Sequence, residues 1–130
     1  MPKKTLNVGL KDNKLKSCDK KYCCVSTQSE KSNKYNYIEP IHYEGSQKEA
    51  LDKIIAIINS LKRTKILKQT DEYIHSIFIT FLFRFKDDVE FYFDDNEKVI
   101  HFKSQSRLSG YDYHTNRKRM EKIRALFLQN

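Results

Sequence analysis

The stretch EYIHSIFITFLFRF, residues 72–85, decides the fold that we predict for this chain. It is rich in β-branched and aromatic residues, and apolar side chains occupy both alternating faces across residues 77–83. Such a run favours a strand within a sheet. At about 3.3 Å per residue the stretch would extend roughly 46 Å, so we expect a bend or a bulge that curls the sheet.

Four shorter segments on either side of this stretch also favour strands. Pro40 lies in the first of them and cannot donate a ladder hydrogen bond, so we place that strand at an edge of the sheet. A turn at residues 86–88 separates the long stretch from the next strand. The four segments are YIEPIHY (37–43), TKILKQT (64–70), VEFYFD (89–94) and KVIHFKSQSR (98–107).

Two helices complete the predicted set of elements. Ser46 and Glu49 have the spacing of a capping box, and apolar residues then recur at helical spacing, which predicts a helix over residues 47–63. A last helix is predicted to begin between residues 112 and 115. Its apolar stripe is Met120, Ile123 and Phe127.

This order of elements, β-α-β-β-β-β-α, predicts an α+β fold: a single curved antiparallel sheet of about five strands with two helices on one face. Each half of the TATA-box-binding protein has this arrangement, but a shared fold does not by itself transfer function. Residues 1–36 are polar and rich in lysine, and we expect them to form a basic N-terminal arm packed on a single domain of residues 37–130.

The formal charge of +8 is concentrated at the two ends of the chain. Residues 1–36 hold nine Lys or Arg against three Asp or Glu, and residues 101–130 hold seven against two. A basic surplus could favour acidic partners or nucleic acid. Its alternative explanation is a lysine-biased composition, because basic tracts are unspecific motifs.

No run approaches the roughly 20 apolar residues that a membrane span requires, and the first residues lack the apolar region of a secretory signal. We therefore expect a cytoplasmic protein without a membrane span. Three cysteines fall within seven residues, and in a reducing compartment we expect them to be free thiols. A disulfide between Cys18 and Cys24 is the alternative.

The sequence predicts no cofactor and no metal site. The spacing of Cys18 and Cys24 is not that of a zinc knuckle, and the four histidines are dispersed. Asp87, Asp88 and Glu90 form an acidic cluster that we place at a turn, where too few oxygens meet for a competent cation site.

Three segments together resemble an uncharacterised family of small bacterial and plastid proteins, domain of unknown function 1499. They are VGLKDNKLKSCDKKYCCVSTQ (8–28), FRFKDDVEFYF (83–93) and SQSRLSGYDYHTNRKRMEKIR (104–124). The resemblance implies that Ser106, Arg107, Asp112, Asn116, Arg117 and Arg119 are the positions that the family shares in the third segment. Ser109 and His114 stand where the family has glycine, and Cys23 stands where it has asparagine.

The third segment ends a strand and opens a helix, and two interpretations of it remain open. Free amides at the helix start, together with Arg107, Arg117 and Arg119, could bind a carboxylate or a phosphate. Alternatively, Asp112 caps the helix and pairs with an arginine while Asn116 closes the turn, which makes a structural latch.

Our leading hypothesis is a small non-enzymatic ligand-binding or interaction module for an acidic or amphipathic small molecule or protein. A nucleic-acid-binding protein that uses the basic arm and the last helix is one alternative, through Arg117, Lys118, Lys122 and Arg124. An enzyme with Asp112 or His114 as a general base and Arg107 as an anion holder is the other alternative, for which the sequence offers no committing motif.

Overall fold

The computed structural model describes residues 6–129, so the first five residues of the predicted arm lie outside the described part of the chain. The helices are α1 (Gln47–Ser60) and α2 (Thr115–Leu128). The strands are β1 (Leu10–Lys11), β2 (Lys14–Leu15), β3 (Cys24–Ser26), β4 (Ile41–His42), β5 (Thr64–Gln69), β6 (Tyr73–Ile79), β7 (Lys86–Asp94) and β8 (Val99–Ser106).

Six strands form one antiparallel sheet in the order β3-β8-β7-β6-β5, with β4 pairing beside β3 on the outer edge of β8. The predicted α+β class with two helices is confirmed, with six strands rather than about five. The additional strand is β3, which comes from the segment predicted to be an arm. The sheet therefore crosses the domain boundary predicted at residue 36, and that boundary stays a prediction.

The core lies between one face of the sheet and the two helices. Alternation in β7 directs Val89, Phe91 and Phe93 to this face, and all three are buried. Ile54 of α1 and Ile123 of α2 are fully buried against them. The predicted stripe of α2 is confirmed as part of this core, because Met120 and Phe127 belong to the same cluster.

The stretch that predicted one long strand instead forms a strand and a turn. Strand β6 ends at Ile79, and residues 80–85 form a loop, which we call the hairpin loop, before β7 runs back along β6. The Thr80 amide donates to the Phe85 carbonyl at 2.9 Å, and the Phe85 amide donates to Thr80 Oγ1 at 2.9 Å. Arg84 takes a left-handed φ of 56°. The expectation of a single bent strand over 72–85 is therefore wrong.

The turn predicted at residues 86–88 is also wrong, because these residues begin β7. Asp87 and Asp88 are buried within this strand. Adjacent aspartates are typical of a turn. Here Arg119 pairs with Asp87 and Arg107 pairs with Asp88, and these ion pairs allow both carboxylates to be buried within a strand.

Helix α1 begins with the predicted capping box, which is confirmed. Ser46 Oγ accepts from the Glu49 amide at 3.0 Å, and Glu49 Oε1 accepts from the Ser46 amide at 3.4 Å. The helix ends at Ser60 rather than at residue 63. Thr64 Oγ1 donates to the Ile58 carbonyl at 2.9 Å, which satisfies a helix-end acceptor as the chain turns into β5.

Cys18 and Cys24 form a disulfide, which corrects the expectation of free thiols; Cys23 is the free cysteine of the described residues. The Cα atoms of Cys18 and Cys24 lie 5.9 Å apart, within the range that a disulfide requires. Asn36 Nδ2 donates to the carbonyls of Lys20, Lys21 and Cys24, so a distant amide holds the loop that brings the two cysteines together.

Candidate functional site

The junction between β8 and α2 is organised around Asn116, which is fully buried. Asn116 Oδ1 accepts from Ser104 Oγ at 2.6 Å, and Nδ2 donates to Ser106 Oγ at 2.9 Å and to the Cys23 carbonyl at 3.2 Å. One amide side chain therefore connects the last strand, the last helix and the segment before β3. The asparagine side chain can make all of these contacts because its carboxamide has both a hydrogen-bond acceptor and hydrogen-bond donors.

Asp112 lies in the turn before α2 and binds the free amides of the helix start. Its Oδ1 accepts from the His114 amide at 2.9 Å, and its Oδ2 accepts from the Asn116 amide at 3.1 Å and from Asn116 Nδ2 at 2.8 Å. These bonds occupy the amides that an external anion would use. His114 takes φ 63°, in the left-handed region that favours glycine, whereas Ser109 does not take a positive φ.

Arg119 ties the helix to the middle of the sheet. Its Nη1 donates to Asn116 Oδ1 at 2.9 Å and to Ser104 Oγ at 3.1 Å, and its Nη2 lies 2.6 Å from Asp87 Oδ2. The Asp87 side chain is 1% exposed and its other oxygen, Oδ1, has no hydrogen-bond partner among residues 6–129. Within the described part of the chain, Arg119 is thus the single charge partner of this buried carboxylate.

Arg107 does not contact Asp112 by a hydrogen bond or an ion pair; it pairs with Asp88 instead. The two contacts are bidentate, from Nε to Oδ2 at 2.9 Å and from Nη2 to Oδ1 at 3.0 Å. His75 Nε2 lies 2.8 Å from the same Oδ1. Burial acts to raise the pKa of Asp88, but the hydrogen bonds from His75 and Arg107 outweigh it and hold that pKa below its usual value.

A second buried charge pair lies on the face of the sheet opposite the helices. Lys103 Nζ lies 3.5 Å from Glu90 Oε1, and both side chains are fully buried. Glu90 Oε2 accepts from the Tyr73 hydroxyl at 2.8 Å and from the Gly9 amide at 2.9 Å, while Lys103 Nζ donates to the Asn7 carbonyl at 2.7 Å. Burial lowers the pKa of Lys103. These contacts fasten the N-terminal segment to the sheet.

The arginines predicted to line a basic helix face bind the chain's own carbonyls. Arg117 Nη2 donates to the Tyr37 carbonyl at 2.8 Å, and Arg124 Nη1 donates to the Pro40 carbonyl at 2.8 Å. Lys118 and Lys122 are exposed. Two of the four cations nominated for nucleic acid therefore serve to hold the segment before α1.

A cavity of about 330 Å³ lies beside the junction, between the hairpin loop and the connection from β8 to α2. Its floor is formed by Cys23, Asp87, Ser106 and Asp112. The hairpin loop contributes Thr80, Leu82, Phe83 and Phe85 to one wall, and the connection contributes Leu108, Ser109, Gly110, Tyr111 and Tyr113, with Thr115, to the other. Most of this lining is apolar or aromatic, so the cavity suits an apolar group.

Cys23 contributes a free thiol to the floor of the cavity, and it is buried. Its Sγ lies 3.6 Å from the Leu108 carbonyl, and burial raises the pKa of the thiol. A raised pKa keeps the sulfur protonated, so this cysteine is not an activated nucleophile.

Of the nominated residues, Ser106, Asp112, Asn116 and Arg119 meet in one network, whereas Arg107 and Arg117 each bind elsewhere. Sequence reasoning missed Ser104, Asn36 and the pairing roles of Asp87 and Asp88. The acidic residues Asp87, Asp88 and Glu90 beside the apolar run of residues 89–93 were the available signal, because a carboxylate inside a buried strand requires a partner.

The fold and this site define a class: a two-layer α+β domain whose last helix is fastened to the sheet by buried polar and charged side chains next to an apolar cavity. The chain belongs to the family described as "Protein of unknown function (DUF1499)", whose profile matches residues 14–127. Comparison with curated proteins and with solved structures gives no match. The likeness to half of the TATA-box-binding protein therefore rests on element order alone. Across residues 6–129, neither helix has the length and apolar character of a bilayer span.

Proposed function

We propose that this chain is a small non-enzymatic ligand-binding module, which holds the apolar part of an amphipathic molecule in the cavity beside the β8–α2 junction. The observation that carries the proposal is an apolar cavity of about 330 Å³ whose lining includes Asp87, a buried carboxylate with one oxygen, Oδ1, that has no hydrogen-bond partner among residues 6–129. Natural ligand sites have this composition: an apolar lining with a few convergent polar groups.

The polar group of the ligand is expected to be a hydrogen-bond donor. Asp87 Oδ1 can only accept while the carboxylate is ionised, and the charges of Arg119 and Arg107 are already engaged by Asp87 and Asp88. This supports an alcohol or amine head group over the acidic ligand considered from the sequence. The Ser106, Asp112, Asn116 and Arg119 network then acts as a structural latch that shapes the cavity floor.

Titration calorimetry with two matched series tests the proposal: hexylamine and octylamine against hexanoate and octanoate. Burial is worth about 0.8 kcal/mol per methylene, so octylamine should bind about fifteenfold more tightly than hexylamine. The carboxylates should bind at least about tenfold more weakly, because their charge would meet Asp87. Millimolar concentrations of either amine without heat of binding would refute the proposal.

Two variants separate the cavity from the rest of the surface. Ser109→Trp places a large ring in the cavity wall and should abolish amine binding. Phe81→Ser changes an exposed residue of the hairpin loop that does not line the cavity, and binding should be retained. A thermal melt of each variant establishes that it is folded. Equal affinity of the Ser109→Trp protein and the unmodified chain would place the ligand elsewhere.

A bacterial or plastid origin and a cytoplasmic location remain predictions from the sequence. The Cys18–Cys24 disulfide argues against the cytoplasmic location, because disulfides are uncommon in reducing compartments.

A further inference from the structure

The hairpin loop exposes a cluster of large apolar side chains at one end of the molecule. Phe81, Leu82 and Phe83 are 70%, 74% and 67% exposed. Leu108 and Tyr113, across the cavity from the loop, are also exposed. Contiguous apolar patches of this kind are uncommon on monomeric proteins and mark an interaction surface.

The same end of the molecule carries five exposed cations. They surround the hairpin loop: Lys62 and Arg63 in the turn after α1, Arg84 in the loop, Lys86 at its foot and Lys122 on α2. The Arg63 guanidinium lies 5.3 Å from the centre of the Phe81 ring. None of the five forms an ion pair within residues 6–129.

Acidic side chains collect at the opposite end. Because the strands are antiparallel, the β5–β6 and β7–β8 turns lie at the end of the sheet away from the hairpin loop. Those two turns, with the strand ends that flank them, carry one cation, Lys98, which pairs with Asp95, and five acidic residues: Asp71, Glu72, Asp94, Asp95 and Glu97. The two carboxylates nearest to the hairpin loop in sequence, Asp87 and Asp88, are buried and paired. Charge is therefore distributed unevenly between the two ends of the sheet. We call the end with the hairpin loop and the five cations the cationic pole, and the opposite end the acidic pole.

We propose that this cationic pole docks on an anionic lipid surface, with the side chains of Phe81, Leu82 and Phe83 inserted among the head groups. Aromatic residues favour the bilayer interface, and basic residues near an anionic leaflet strengthen attachment by about fivefold each. The Thr80–Phe85 hydrogen bonds satisfy the amides at the base of the loop, and insertion at the depth of the head groups leaves the rest of the loop backbone in contact with water rather than hydrocarbon.

A second copy of the chain is a poorer occupant of this surface. A twofold dimer would bring identical patches together, and Arg84 and Lys86 would meet their own symmetry mates. Repulsion between these cations would oppose the apolar contact, whereas anionic lipid would neutralise them.

Co-sedimentation of the full chain with vesicles tests the docking. Vesicles of phosphatidylcholine with about 30% phosphatidylserine, at low salt, are compared with vesicles of phosphatidylcholine alone. Binding is expected with the anionic vesicles and should fall steeply as salt is raised. Arg84→Asn with Lys86→Gln should weaken it about 25-fold, and asparagine suits the left-handed φ of position 84. Phe81→Ser with Leu82→Ser should weaken it at least about tenfold.

Matched controls lie at the acidic pole. Lys48→Gln with Lys68→Gln removes two exposed charges there, and Leu128→Ser removes an exposed apolar side chain at the end of α2. Both should bind as the unmodified chain does. Absence of binding to anionic vesicles at low salt, or equal binding by the Phe81→Ser, Leu82→Ser protein, would overturn the docking. So would light scattering that shows a dimer lost in that same variant, since a second copy would then cover the surface.

This inference does not rest on the ligand cavity, although Leu82 and Phe83 border both surfaces. The Ser109→Trp protein should keep its vesicle binding while losing amine binding, and the Phe81→Ser protein, changed at a residue that does not line the cavity, should keep amine binding while its vesicle binding weakens. Failure of one assay therefore leaves the outcome of the other intact.

Discussion

The ion pair between Arg119 and Asp87 offers the most direct test of how the last helix is held. The perturbation is Arg119→Met, which keeps the length and apolar stem of the side chain and removes its charge. In the structure this change deletes three polar contacts, which are the 2.6 Å contact with Asp87 Oδ2, the 3.1 Å bond to Ser104 Oγ and the 2.9 Å bond to Asn116 Oδ1. It also removes the guanidinium that lies 5.2 Å from the centre of the Phe78 ring.

The magnitude follows from the burial of the partners. The Asp87 side chain is 1% exposed and that of Arg119 is 11% exposed, so solvent screens the pair little. Asp87 Oδ1 already lacks a partner, and without Arg119 the carboxylate would be buried with no compensating cation. Removing one member of a buried pair costs about 3–5 kcal/mol, a large part of the roughly 5–15 kcal/mol that stabilises a domain.

Urea unfolding followed by circular dichroism measures this loss, and a double-mutant cycle isolates the pair. Arg119→Met with Asp87→Val should be less destabilising than the sum of the two single changes, with a coupling of at least about 2 kcal/mol. Lys118→Met, an exposed change on the same helix, should alter the free energy of unfolding by no more than about 0.5 kcal/mol. A loss below about 1 kcal/mol for Arg119→Met, or additive single changes, would refute this account of the latch.

Three further predictions concern Asp88 and the cysteines. Because the pKa of Asp88 is lower in the folded chain than its usual value near 3.8, its ion pair stabilises the fold above that pH and is lost as the pH falls through the folded value. The difference in unfolding free energy between the chain and Asp88→Asn should shrink from pH 5 to pH 2, and a constant difference would contradict the assignment. Replacing Cys18 and Cys24 by serine should lower the free energy of unfolding by about 2 kcal/mol through the entropy of a short loop, which the urea midpoint measures. Without reductant, iodoacetamide should modify one cysteine, Cys23, and only after unfolding; rapid modification of the native chain would contradict its burial.

Local patterns predicted several elements correctly. The Ser46–Glu49 capping box, the helical stripe of α1 and the stripe of α2 depend on interactions within a few residues, so the sequence carries them directly. The strand at residues 37–43 was placed at an edge because of Pro40, and β4 does lie on the edge of β8.

The hairpin loop shows where periodicity was misleading. Phe81, Leu82 and Phe83 continue the apolar alternation of β6, yet they are exposed in a turn. Alternation reports which side chains favour burial or a pleated surface, but it cannot report where the chain reverses. If the proposed lipid surface is correct, these residues are apolar because of a partner rather than a core.

The sequence by itself determined the α+β class and the two amphipathic helices, because each depends on the order and spacing of neighbouring residues. Only the tertiary structure decided which charges meet: Arg119 with Asp87, Arg107 with Asp88, and Lys103 with Glu90. Those pairs join residues 13 to 32 positions apart across neighbouring strands and a helix. A buried charged side chain must pair with an opposite charge that the tertiary fold places next to it. The spacing of residues along the sequence therefore does not identify its partner.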